Sequence, residues 1–234
     1  MVNMNILLFG ATGMIGQGVL RECLLDPDVR RVQTVGRTAT GVPHPKLREV
    51  VHTDLLYYAS TEDQLSGFDA CFFCLGVSSA GMAEADYERV TYRVTLAAAE
   101  TLSRLNPGMT FIYVSGAGTD SSEHGRTMWA RVKGKTENAL LGLPFKAAYM
   151  FRPGAIQPLH GVRSKTAAYR VLYSLTKPLL PILRRAAPGL IVTTEQMGRA
   201  MLIVAKQGAP KRILESRDIS AIAPAEIALS PENH

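Results

Sequence analysis

The residues best suited to chemistry stand near the start of the chain. Gly10-Ala11-Thr12-Gly13-Met14-Ile15-Gly16 closes the apolar run 5–9 and leads directly into an amphipathic stretch over 17–25. Glycines at a strand-to-helix turn let the backbone approach a pyrophosphate, and the first turn of the helix offers it unpaired N–H groups. The spacing alone also suits an ordinary tight turn. Its place after a strand and before a helix, at the head of an α/β pattern, points to a dinucleotide site. Gly10, Thr12, Gly13, Met14, Ile15 and Gly16 are therefore cofactor-binding candidates.

Further candidates follow from where such a ligand must lie. The second strand ends Val35-Gly36-Arg37-Thr38, about twenty residues beyond the glycine turn, where a carboxylate would bind the ribose of NAD and an arginine the 2′-phosphate of NADP. No carboxylate stands there. Arg37 can grip a phosphate bidentately with the Thr38 hydroxyl beside it, so NADP is expected, with NAD left open; the competing reading is a solvated loop arginine. Asp54 and Leu55 follow the third strand, and Leu75, Gly76 and Val77 close the fourth. Asp54 could accept from an adenine amino group or simply cap a turn. Cys71 and Cys74 have the spacing of a redox or metal pair, but they lie inside a strand with no second pair to complete a zinc site, and packing explains them better.

These residues need elements to place them. Apolar runs suited to buried strands recur at 5–9, 31–36, 48–52, 70–75, 110–115 and 146–151, with helical patterns at 17–25, 83–105 and 127–141. Strand alternating with helix implies an α/β fold, a doubly wound parallel sheet with its ligand at the C-terminal strand edge. Beyond 151 the rhythm changes: helices are expected at 169–183 and 195–206, and a short strand at 212–215. The whole chain, 1–234, reads as one dinucleotide-binding domain, with 155–234 contributing a small cap on the substrate side.

Composition narrows the class. A chain of 234 residues with 47% hydrophobic content can bury a full core. Its net charge of +6 comes from scattered residues, and Arg184-Arg185 and Lys211-Arg212 are too separated to track a nucleic-acid backbone. The stretch 171–183 is interrupted by Lys177, Pro178 and Pro181, which argues against stable membrane insertion. Three cysteines and no visible targeting signal suggest a cytoplasmic protein.

Taken together, GATGMIG, Gly36-Arg37, Cys74-Leu75-Gly76, Phe111-Ile112-Tyr113-Val114-Ser115-Gly116, Val132-Lys133-Gly134, Phe151-Arg152-Pro153-Gly154 and Thr193-Thr194-Glu195-Gln196-Met197-Gly198-Arg199-Ala200-Met201 resemble the short-chain dehydrogenase/reductase superfamily in its extended and atypical branches. The resemblance covers residues 4 to about 215 and is strongest to small atypical members related to the Tat-interacting oxidoreductase-like protein. It implies catalysis by Ser, Tyr and Lys, the last two four residues apart on one helix face. The lysine matches Lys133 and the serine Ser115, although Gly116 competes for the serine position. The expected tyrosine is Trp129, whose indole N–H cannot shuttle a proton. The resemblance also implies that Lys133 holds the cofactor ribose, that Pro153 and Gly154 shape the loop at the nicotinamide, and that a homodimer through 83–105 and 127–141 stays open. His124 and His160 are candidate general acids in loops.

Two functions follow. One is an NADP(H)-dependent oxidoreductase or epimerase-like enzyme on an unidentified small carbonyl or hydroxyl substrate. The other is a non-catalytic NADP(H)-binding regulatory or scaffold protein, favoured by Trp129.

Overall fold

The computed structural model describes residues 3–162 and 189–224. The expected helix over 169–183 lies outside the described residues. Seven parallel strands among them form one sheet: β1 (Met4–Phe9), β2 (Val29–Gly36), β3 (Leu47–Val51), β4 (Ala70–Phe73), β5 (Thr110–Val114), β6 (Ala147–Arg152) and β9 (Ile213–Glu215), in the order β3-β2-β1-β4-β5-β6-β9. β7 (Ala155–Gln157) and β8 (Ile191–Thr193) pair separately, also in parallel. The helices are α1 (Met14–Leu25), α2 (Glu84–Glu88), α3 (Val94–Leu105), α4 (Met128–Leu141), α5 (Thr194–Gln207) and α6 (Ser216–Ile222).

The central strands β1, β4, β5 and β6 are largely apolar because helices cover the sheet on both sides, whereas β2 and β3 carry Arg30, Arg31, Gln33, Arg48 and Glu49. Alternate residues divide between two cores, as a period of two requires. Ile6 and Leu8 join Val19 and Cys23 of α1 and Met197, Ala200 and Met201 of α5. Leu7 and Phe9 join Ala98, Ala99 and Leu102 of α3 and Leu140 of α4. On that second face Phe9 stacks on Phe73 at 5.1 Å and Phe73 on Phe111 at 5.9 Å, which ties β1, β4 and β5 together. The chain leaves β3 at one edge and re-enters as β4 on the other side of β1. β1 and β4 therefore flank the topological switch, where the crevice of such a sheet opens.

Some expectations shift. α1 starts at Met14 because Gly13 is its N-cap. The single helix expected over 83–105 is divided into α2, one π turn over Arg89–Arg93, and α3. Ion pairs of 2.7 Å from Arg131 to Glu84 and from Lys135 to Glu88 pin this irregular stretch to α4. Of the segment 155–234, two described elements join the main body. β9 completes the main sheet, and α5 packs on α1, with Gly18 against Thr194 and Gly198 against Glu22. The Lys206 ammonium at the end of α5 binds Asp26 and Asp28 beyond α1, both at 2.8 Å. Thr193 and Gln196 form a reciprocal capping box at the start of α5.

Candidate functional site at the C-terminal strand edge

The glycine turn divides its tasks. Gly10 sits at φ +78°, and a Cβ there would meet the Cys74 carbonyl carbon and Leu75 nitrogen at 2.6 Å, so only glycine lets β1 and β4 end this close together. Gly16 lies under the turn, where a Cβ would come within 2.1 Å of the Gly10 carbonyl oxygen. Gly13 differs: its Cβ position meets only the Gly10 oxygen, at 3.3 Å, and is otherwise open. No side chain caps α1 and its first turn carries no acid. The first N–H groups of α1 thus face open space with the positive end of the helix behind them. This arrangement fits a pyrophosphate.

Two cavities meet this turn. The outer one, about 370 Å³, is lined by Gly10, Thr12, Thr34, Arg37, Thr38 and Leu55, among others. Arg37 is exposed and forms no ion pair among the described residues. On β3, Glu49 is already held: its Oε1 accepts from the backbone N–H and hydroxyl of Thr40. Asp54 is placed differently from Leu55. Its Oδ1 accepts from the Leu56 N–H at 3.0 Å, holding a local turn, and it does not line the cavity.

The inner cavity, about 310 Å³, brings together Gly13, Met14, Ile15, Cys74, Leu75, Gly76, Val77, Ser115 and Lys133. Ser115, just beyond β5, and Lys133, on α4, are joined directly, because Lys133 Nζ donates to the Ser115 carbonyl oxygen. Burial pushes the Lys133 ammonium down to about 8, against a smaller opposing pull from Glu137. Ser115 Oγ faces two acceptors, the Glu137 carboxylate and the Phe151 carbonyl oxygen at 3.2 Å. Whichever of them takes its single hydrogen, the hydroxyl has lone pairs and no proton left for the cavity. The expected donation from Ser115 to a substrate carbonyl would require this hydrogen to leave Glu137 or the Phe151 carbonyl.

Glu137 itself is fully buried, and Arg152 at the end of β6 holds it, with Nε 3.0 Å from Oε1 and 3.2 Å from Oε2. The guanidinium also reaches Glu215 at 3.5 Å and the Ser121 hydroxyl at 2.5 Å. Neither Glu137 nor the task of Arg152 was read from the sequence. The available signal was a glutamate one helical turn after Lys133, on a helix whose other buried residues are Ala130, Val132, Gly134, Thr136 and Leu140. Trp129 does not line the inner cavity. Its ring packs towards the loop after β5, 3.6 Å from where a Cβ of Gly118 would stand.

The remaining candidates lie at the margin. Pro153 accepts from the Ala117 N–H at 2.9 Å, and the Gly154 N–H donates to Ser216 Oγ at 2.7 Å, so this loop braces the ends of β5 and β9 outside the inner cavity. His124 is exposed in a surface loop. His160 lines a third cavity of about 520 Å³ beside Thr12, Arg21 and Thr38, and its Nε2 is 2.7 Å from Glu195. Cys71 is fully buried, and burial raises the thiols of Cys71 and Cys74.

No protein-family model matches the chain. It is 29% identical over 159 residues to "Protein fmp52, mitochondrial" of Emericella nidulans, a match that spans 65% of this chain and 66%, just under two thirds, of that protein. Among solved structures it is similar to the Bordetella bronchiseptica enzyme WbmF in complex with NAD+ and UDP, with TM-score 0.67 and 16% identity over 92% of this chain and 72% of that one. It is also similar to a short-chain dehydrogenase/reductase from Saccharomyces cerevisiae, with TM-score 0.63 and 14% identity over 95% of this chain and 100% of that one. The cytoplasmic expectation is corrected, since several fungal relatives are named as mitochondrial proteins. The seven-stranded order, the glycine turn at the switch and these likenesses agree: the chain has the fold of the short-chain dehydrogenase/reductase superfamily, which its sequence resembles.

Proposed function

We propose that this chain binds a nicotinamide dinucleotide, NADP(H) in preference to NAD(H), and serves as an oxidoreductase or epimerase-like enzyme on a small carbonyl or hydroxyl substrate. One observation supports this most: the open side of the glycine turn and the pair Ser115–Lys133 face the same inner cavity. Gly13, Met14 and Ile15 would hold the pyrophosphate through backbone N–H groups. Arg37 and Thr38 would take the 2′-phosphate in the outer cavity, with Leu55 and Leu75 against the adenosine. When bound, the dinucleotide supplies hydride. Gly76 and Val77 form one wall of the inner cavity, and Lys133 presents ammonium N–H groups beyond the one held by Ser115. The test is a titration of the full chain with NADPH and NADH, followed by the cofactor's own fluorescence. NADPH binding at least tenfold tighter is expected; no binding of either cofactor overturns the proposal.

A second reading, a non-catalytic dinucleotide-binding protein, is favoured by Trp129 in place of tyrosine and by the committed proton of Ser115. It expects tight NADPH binding with no NADPH consumption on any carbonyl offered. Appearance of turnover in the wild-type chain removes it.

A further inference from the structure

We propose that Lys133 is the proton donor of the inner cavity, giving a proton from Nζ directly to the substrate oxygen in the role a phenol would otherwise fill. This inference rests on the dinucleotide-binding, reductase-like reading above. It comes from elimination among the groups that face one another. Trp129 lies off the cavity lining, against the Gly118 loop. The hydrogen of Ser115 goes to Glu137 or to the Phe151 carbonyl. The phenol of Tyr113 is buried in the core against α4, bonded towards Thr136, and does not line the cavity. The β1–α1 turn contributes no titratable side chain to the lining, and the segment after β4 contributes Cys74, a thiol that burial holds protonated, and Ser78, whose hydroxyl accepts from the Ala80 N–H and is, as an alcohol, a far weaker acid than an ammonium ion. Lys133 is what remains.

The surroundings of Lys133 suit the task. Its ammonium donates one N–H to the Ser115 carbonyl oxygen, which fixes Nζ at the rim and leaves two N–H groups for ligands. Glu137, one turn further along α4, is neutralised by Arg152 and so pulls only weakly on the lysine proton. Burial brings the ammonium to about 8, near the working range of a general acid. In the reductive direction the Nζ–H bond breaks and an O–H bond forms on the substrate oxygen. The carbonyl π pair moves to that oxygen as hydride from the reduced dinucleotide reaches the carbonyl carbon. The neutral amine then regains its proton from solvent through the open cavity mouth.

Lys133→Arg tests this, because a guanidinium keeps the charge and the donors but does not release a proton. The variant is expected to bind NADPH within about threefold of wild type and to lose at least 100-fold in the rate of NADPH oxidation with 4-nitrobenzaldehyde or 9,10-phenanthrenequinone. Wild-type reduction is expected to fall as pH rises through about 8. A third measurement needs neither turnover nor a variant: acetic anhydride labelling from pH 6 to 11, read by mass spectrometry, in which Lys133 titrates well below the surface lysines. The proposal is overturned if Lys133 titrates with those lysines, if Lys133→Arg turns over at the wild-type rate, or if wild type binds NADPH yet reduces neither probe. Failure of the wild type to bind either dinucleotide sinks the underlying reading instead, so the two failures are distinguishable.

Discussion

The glycine turn and the α4 face border the same inner cavity but are built in opposite ways. The turn works through backbone: two glycines make room for other main chain, a third is open, and the helix end behind them has no capping side chain. The α4 face works through side chains that are already satisfied. Ser115, Glu137, Arg152 and Lys133 form one buried set of hydrogen bonds, and only Lys133 keeps donors for a ligand. A site that binds can thus be general while a site that reacts is particular. The first needs only space and oriented N–H groups, whereas the second needs each proton to be in the right place.

The sharpest way to break the contrast is at its most buried charge. Glu137→Gln leaves Arg152 facing a neutral amide, with Glu215 at 3.5 Å as its remaining carboxylate. Loss of one partner from a buried pair costs about 3–5 kcal/mol, so chemical denaturation is expected to show a loss of that size. Next comes the backbone side. Gly16→Ala places a methyl group 2.1 Å from the Gly10 oxygen, and we expect a cost of about 3 kcal/mol together with loss of NADPH binding. If Gly16→Ala binds NADPH normally, the turn is not the anion site. Arg37→Ala should weaken NADPH about tenfold, near 1.4 kcal/mol, and leave NADH unchanged, as read by parallel titrations.

The smallest effect sharpens the comparison. Lys133 holds a proton less readily in the folded chain, about 8, than in the unfolded chain, near 10.4. Its ammonium therefore destabilises the fold below pH 8, and this penalty fades as pH rises from 8 towards 10.4. Lys133→Met is expected to stabilise the cofactor-free chain by about 1 kcal/mol at pH 7. That gain should shrink with rising pH in melts run from pH 7 to 10.

Most of the sheet was legible because parallel strands are read from short apolar runs. The run at 5–9 is β1, and the run at 110–115 is β5 to within a residue. The pattern over 83–105 was legible as helix but not as an interrupted one. The ion pairs of Glu84 and Glu88 that hold this stretch to α4 join residues 47 positions apart. The glycine turn could be read locally, since its function lies in local spacing. Ser115 could be located but its role could not, because the direction of its hydrogen bond depends on Glu137 and on Phe151, 22 and 36 positions away. The packing of α5 on α1 was not legible for a similar reason. Nothing local in 194–207 says that its partner is α1.

That partnership sets an order of assembly. The helix behind the glycine turn is finished by residue 25, yet its cover is α5, and Lys206 reaches back 180 positions to hold Asp26. A chain growing from its N-terminus therefore exposes the apolar face of α1 throughout synthesis of β2 to β8, and protects it only when α5 emerges. The half that is simplest to recognise in the sequence is the last to be secured on the ribosome. A nascent chain arrested before Thr194 would be a substrate for chaperones before it was a receptor for a nucleotide.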